Sequence, residues 1–164
     1  MKFKAVLFDL DGTLIDTIED IGNAVNRVLL NKGFKEHTIS TYRQFVGEGS
    51  RTLITRALPE EHRSKNLISD CLKEFAEDYS HNIAVKTRPY NGIPEMLDAL
   101  RVQGLKLAVL SNKPDLLTKK CVSIILSKWD FDVVLGQRDS VPLKPDPHSA
   151  LEVAEMLVIP PENF

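Results

Sequence analysis

"FDLDGT", residues 8–13, ends an apolar run (Ala5, Val6, Leu7) by placing two aspartates one residue apart, followed by glycine and threonine. An apolar stretch that stops at polar turn residues predicts a buried strand over residues 4–10, covered on both faces. Side chains at i and i+2 of an extended segment share one face, so Asp9 and Asp11 are expected to point into one site beyond the strand. Two carboxylates held that close repel, and each loses hydration beside a core, so an unassisted pair is unfavourable. The stretch asks for a positive partner as well as a fold.

Beyond Thr17 the apolar period becomes helical, through Ile18, Ile21, Val25, Val28 and Leu29, with Gly33 as a stop. A second helical piece is expected over residues 41–46, up to "GEGS" (47–50). Ser50 is the expected cap of a third helix carrying Leu53, Ile54, Ala57 and Leu58, and Leu67, Ile68, Cys71, Leu72, Phe75 and Tyr79 outline a fourth. After "TRPYNG" (87–92), which is turn chemistry, strands and helices alternate again. The expected order is a helix from Pro94 to Gln103, a strand over 105–110, a helix over 115–127, a strand over 131–135, and a helix over 147–157 capped by Asp146. Strands alternating with helices imply parallel βαβ units, hence an α/β, doubly wound parallel sheet. Residues 1–16 and 84–164 form the expected core, and residues 17–83 an all-helical insert after the first strand.

Bulk properties exclude several function classes. The 164 residues carry 21 basic and 23 acidic side chains, a net charge of −2, which offers no electrostatic case for nucleic acid or an anionic membrane. No apolar stretch is long enough to span a bilayer. Residues 1–4, Met-Lys-Phe-Lys, run straight into the first strand without a signal-peptide segment. Cys71 and Cys121 lack Cys-x-x-Cys spacing and read as reduced thiols, which together with the absent leader points to the cytoplasm. His37, His62, His81 and His148 are scattered without metal-ligand spacing and are expected at the surface, with Trp129 expected in packing. Oligomeric state has no signature here.

In parallel α/β sheets, ligands bind at the carboxyl ends of the strands. Three such ends carry polar residues: Asp9 to Thr13 after the first strand, Ser111-Asn112-Lys113 after the second, and "VPLKPDP" after the third, which brings Lys144. A divalent cation relieves the repulsion between Asp9 and Asp11, and Mg²⁺ commonly binds through one or two carboxylates plus substrate phosphate. A cation, a nucleophilic carboxylate and a lysine together make a phosphoryl-transfer site. Taken singly, Asp11 reads as a loop carboxylate at the Gly12 turn, Ser111 as a helix cap and Lys144 as a solvated lysine. The joint pattern carries the expectation.

"DLDGT" resembles the first motif of haloacid-dehalogenase-superfamily phosphohydrolases, "LSN" the second, and Lys144 in "KPDP" the third. The resemblance runs from Lys4 to the end of the chain, with the helical insert where that family places a cap. It implies that Asp9 is the nucleophile, forming an aspartyl-phosphate, and that Asp11 is the general acid and then the base, its backbone carbonyl also a metal ligand. Both aspartates would hold Mg²⁺. It further implies that Gly12, Thr13, Ser111 and the Asn112 amide bind the substrate phosphate, while Lys144 offsets charge on the nucleophile and phosphoryl group. Asp16 matches a position often acidic in the family, and a helix cap explains it equally well.

The insert's "VGEGSRTLITRAL" (46–58) resembles the cap segment of phosphoglycolate-phosphatase-like enzymes. Gly47 and Gly49 then let backbone amides approach a small substrate, and Arg51, or else Arg43 or Arg56, pairs with its carboxylate; the competing account is a helical turn with ordinary surface arginines. The expected activity is hydrolysis of a small phosphorylated metabolite such as phosphoglycolate. The alternatives are a phosphosugar mutase of the β-phosphoglucomutase kind, which shares all three motifs, and a catalytically silent interaction module. The family's fourth motif, an acidic pair after another strand, has no counterpart before Phe164. The expectation is a shortened version of a longer fold, with one metal carboxylate missing and the first strand left as an unpaired edge.

Overall fold

The computed structural model, which describes residues 3–164, turns the apolar stretch before Asp9 into strand β1, Ala5–Phe8. The chain divides between Asp16 and Thr17 and again between Thr87 and Arg88, giving one unit of the flanking segments and a second of residues 17–87.

The first unit is built on a parallel sheet. A two-residue strand β2, Ile15–Asp16, follows the aspartate turn. The second unit supplies α1, Ile18–Asn31, α2, Ile39–Phe45, α3, Gly49–Ala57, and α4, Lys65–Asn82. The chain then returns through β3, Arg88–Pro89, α5, Ile93–Val102, β4, Lys106–Pro114, α6, Asp115–Ile125, β5, Val133–Gln137, and α7, His148–Leu157. The main sheet has the order β1-β4-β5, with Leu7 opposite Ala108 and Ala108 opposite Val133.

Strand β4 takes the centre because its apolar residues cover both faces: Leu107, Ala108, Val109 and Leu110 are all buried. On one face Ala108, Leu110, Val133 and Leu135 meet Val153 of α7, with Leu7 and Phe164 packed against them. Full burial of one such aliphatic side chain contributes about 1.5–3 kcal/mol, so this layer sets where the strand ends fall. Strand β1 lies at the sheet edge; among the described residues it pairs with β4 alone, and Lys4 N donates to Asn163 O at 2.8 Å.

Three local expectations change. Strand β4 does not stop at residue 110 but runs extended through Ser111, Asn112 and Lys113, with a register shift against β5 between Leu110 and Pro114. These polar residues stay extended because local bonds satisfy them: Lys113 N donates to the Ser111 hydroxyl at 3.2 Å, and Thr118 Oγ1 donates to Lys113 O at 3.0 Å. Gly136 makes the approach of α6 feasible, since a Cβ there would lie 2.5 Å from Asp115 Cα and 2.6 Å from Lys113 O. Helix α6 ends at Ile125, short of residue 127, where Trp129 N turns back to Leu126 O. Ser50 does not cap α3: the helix starts at Gly49 with Glu48 in the cap position, because Gly49, at φ +84°, turns the chain one residue earlier. Ser64 is the residue that caps a helix here, accepting Leu67 N.

The antiparallel pair β2–β3, with Ile15 opposite Pro89 and Asp16 opposite Arg88, escapes sequence reading because two residues carry no periodicity. Asp16 therefore ends a strand, and Thr17 takes the cap position of α1.

The helical unit packs α1 against α2 and α4 around Tyr42, Phe75 and Tyr79. His37, expected at the surface, is half-buried. Its ring Nε2 lies 2.8 Å from Ala57 O, and its backbone N–H and carbonyl pair with the Asn26 amide at 3.0 and 2.9 Å, while Tyr42 OH donates to the same Asn26 oxygen. Asp20, 3% exposed, accepts from the backbone of Lys86 and Thr87 and from Thr87 Oγ1 at 2.7 Å, tying the last residues of the unit to α1. Arg27 donates to both oxygens of Asp78, and these bonds hold that carboxyl below its usual range.

Two outcomes follow from this packing. Gly136→Ala forces backbone apart and lowers stability by about 1–3 kcal/mol, read as a drop in Tm. Asp78 has a depressed folded pKa, so its contribution is present above the unfolded carboxylate value and disappears as pH falls through the folded one. Urea titrations below about pH 5 should show a shallower acid loss of stability in Asp78→Asn than in the parent chain.

Candidate active site

Asp9 follows β1 directly, and the chain then folds into a tight turn that fixes Asp11. The Leu10 carbonyl accepts from Thr13, Leu14 and Ile15 N at 3.0–3.3 Å, and Gly12 N donates to Ile15 O at 2.9 Å. Gly12 sits at φ +79°, a conformation that a side chain would strain. The Gly12 and Thr13 amides are thus spent inside the turn, which leaves the exposed Thr13 side chain at its surface.

Each aspartate has its own lysine. Lys144 Nζ lies 2.7 Å from Asp9 Oδ1 and 2.8 Å from Leu110 O, at the ends of two adjacent strands. Lys113 Nζ lies 2.6 Å from Asp11 Oδ1, and its side chain is only 6% exposed. The repulsion between the carboxylates is therefore already offset by two ammonium groups, so a divalent cation is not required merely to hold the pair together. Lys144 is not a solvated surface lysine, and Lys113, which sequence spacing left without a role, belongs to the cluster. A charge count at the strand ends was the available signal: two carboxylates faced one assigned lysine.

Ser111 is buried, and it is not a helix cap, since Pro114 holds that position at α6. Asn112 turns its side chain to the Lys144 backbone, accepting from Lys144 N at 2.8 Å and donating to Lys144 O at 3.1 Å. This two-point clasp mimics a strand pairing and anchors the loop that delivers the Lys144 ammonium.

The residues expected in the helical unit are placed as follows. Gly47, at φ +110°, and Arg43 and Arg51 are exposed, and neither arginine enters an ion pair among the described residues. Gly49 is half-buried at the start of α3. Arg56 is engaged, bonding Glu48 at 2.7 Å and the carbonyls of Gln44 and Phe45, so it holds the "GEGS" turn rather than a ligand.

The parallel α/β sheet thus places two lysine-held aspartates at its carboxyl edge, and family comparison says what class of protein carries them. The haloacid dehalogenase-like hydrolase family matches residues 6–164, and the chain belongs to that family. It is 36% identical over 160 residues to the phosphoglycolate phosphatase of Aquifex aeolicus, covering 98% of this chain and 73% of that one. It is 38% identical over 168 residues to that of Psychrobacter arcticus, again covering 98% and 73%. A solved structure of a phosphoglycolate phosphatase candidate from Lactobacillus delbrueckii subsp. bulgaricus superposes with TM-score 0.87 at 29% identity, covering 98% of this chain and 75% of that one. Family and relatives together make the chain an enzyme of the phosphoric monoester hydrolase class.

Asn112→Ala frees the Lys144 loop without touching either carboxylate. Turnover of a phosphoester should fall on the order of ten- to a hundredfold while the melting temperature changes little, a split that steady-state kinetics and calorimetry measure together.

Proposed function

We propose that the chain is a Mg²⁺-dependent phosphatase of small phosphorylated carboxylic acids of the phosphoglycolate type, acting through an aspartyl-phosphate on Asp9. The observation that carries this is the bridge from Lys144 Nζ to Asp9 Oδ1 and Leu110 O, which presents an oriented, charge-compensated carboxylate beside an open strand end. The Asp9 side chain is 43% exposed, as an attacking group must be, whereas the Asp11 side chain is 22% exposed.

In the first step an oxygen of Asp9 bonds to phosphorus, the bond to the ester oxygen breaks, and that oxygen leaves with a proton from Asp11. In the second, water gives a proton to the Asp11 carboxylate and attacks phosphorus, the bond to Asp9 breaks, and inorganic phosphate departs with both aspartates restored. Lys144 stays against Asp9 throughout and offsets the charge on the attacked phosphoryl oxygens. Ser111, the backbone amide of Asn112 and the Thr13 hydroxyl are assigned to the phosphate, with Gly12 shaping the turn that carries Thr13.

The donor chemistry suits Mg²⁺, since Asp9 and Asp11 supply hard oxygens. Bound there, the cation would neutralise developing charge on the phosphoryl oxygens. The helical unit, residues 17–87, is assigned substrate selection as a cap, with exposed Arg51 or Arg43 as the cation for a carboxylate. No helix of the described residues is long and apolar enough to cross a membrane. The cytoplasmic assignment rests on Cys71 and Cys121, both buried and neither in a disulfide, as in a reducing compartment.

A substrate panel with the intact chain tests this. Phosphoglycolate should be turned over in the presence of Mg²⁺ and not after chelation, with an acyl-phosphate label that Asp9→Asn abolishes. Arg51→Ala should raise KM for phosphoglycolate more than for an uncharged alkyl phosphate. Faster hydrolysis of sugar phosphates or nucleotides would refute the substrate class, and label transfer to a sugar hydroxyl instead of water would mark a mutase.

A further inference from the structure

The buried lysine of the cluster goes beyond that mechanism. Lys113 is held from every side: its N–H bonds the Ser111 hydroxyl at 3.2 Å, its carbonyl accepts Thr118 Oγ1 at 3.0 Å, and the bare Cα of Gly136 lies against that carbonyl. Its Nζ then reaches Asp11 Oδ1 at 2.6 Å and lies 3.7 Å from Sγ of the buried Cys121. Desolvating an ammonium is costly, and an apolar residue of the same length would fill the space at lower cost. The lysine is therefore explained by what its charge does to Asp11. That carboxyl stands in a turn, one residue before Gly12 at φ +79°, whereas Lys113 rises from the central strand.

We propose that Lys113 is the positioning residue of the acid–base group: it anchors the Asp11 carboxyl to β4, so that the proton is delivered to the leaving oxygen and later collected from water at one fixed place. This rests on Asp11 acting as the acid–base residue. The geometry supports it because each carboxylate is tied to β4 by a separate contact, Asp9 through Lys144 and the Leu110 carbonyl, and Asp11 through Lys113. The nucleophile and the proton donor are thereby referenced to one rigid strand. Lys113 itself transfers no proton and touches no substrate atom.

Leaving-group dependence separates this role from general support of the fold. An alkoxide leaves phosphorus only with a proton, whereas p-nitrophenolate leaves unaided, so loss of a placed acid weighs on the first alone. In Lys113→Met, kcat for phosphoglycolate should fall about tenfold or more beyond any fall with p-nitrophenyl phosphate, with KM values within about twofold. Lys113→Arg should recover part of that difference. In an Asp11→Asn background, Lys113→Met should cost nothing further on phosphoglycolate, since the two act as one unit. The double variant also removes the carboxylate charge that Lys113 offsets, so the comparison stands even where Lys113→Met alone fails to fold. Equal losses with both esters, or losses that multiply in the double variant, would overturn the positioning role while leaving the phosphatase reading intact. An Asp11→Asn chain with unchanged preference between the esters would overturn the acid–base assignment and this role with it. An unmodified chain that cleaves neither ester would overturn the functional reading itself.

Discussion

Everything around the site answers one electrostatic constraint: the chain leaving β1 carries two carboxylates, Asp9 and Asp11, one residue apart. The structure meets it with two ammonium groups from different places, Lys144 on a loop after β5 and Lys113 on β4. Both lysines are tied to backbone or to neighbouring side chains as well as to their aspartates. The placement of β4 in the middle of the sheet follows from its apolar residues, and its polar continuation then lies where both aspartates can be reached. Core packing and site chemistry are consecutive stretches of one strand.

The parts of this arrangement legible in the sequence are those that depend on long patterns. The α/β class, the helices between residues 17 and 83 and the meeting of Asp9 with Lys144 all follow from periodicity, strand order and motif spacing. What stayed hidden depends on single side chains choosing between partners. Asn112 also closes its side-chain amide on the Lys144 backbone, a bond across 32 positions that no local pattern announces. Lys113 stood in plain view, but a lysine after a strand reads as solvated until its burial is known. His37 became structural because a loop brought it against Asn26 and Ala57, and β2–β3 is too short for any period.

The helical unit shows the same division. Its apolar spacing forecasts the packing, while Asp20 tells a different story: a first-turn acid on α1 would ordinarily favour the helix dipole from the surface. Here it is buried and receives the backbone of residues 86 and 87, so its position reflects the need to satisfy returning peptide groups rather than helix propensity. Arg56 likewise spends its guanidinium on the last carbonyls of α2, Gln44 and Phe45, and on the Glu48 carboxylate.

The register shift between β4 and β5 has a consequence for anyone who would improve this protein. A more regular ladder through residues 111–113 would satisfy design rules and raise stability, and it would remove the irregularity from which Ser111, Asn112 and Lys113 take their bearings. The flaw in the sheet is where the side chains acquire their aim, so selection for robustness and selection for rate pull this short segment in opposite directions.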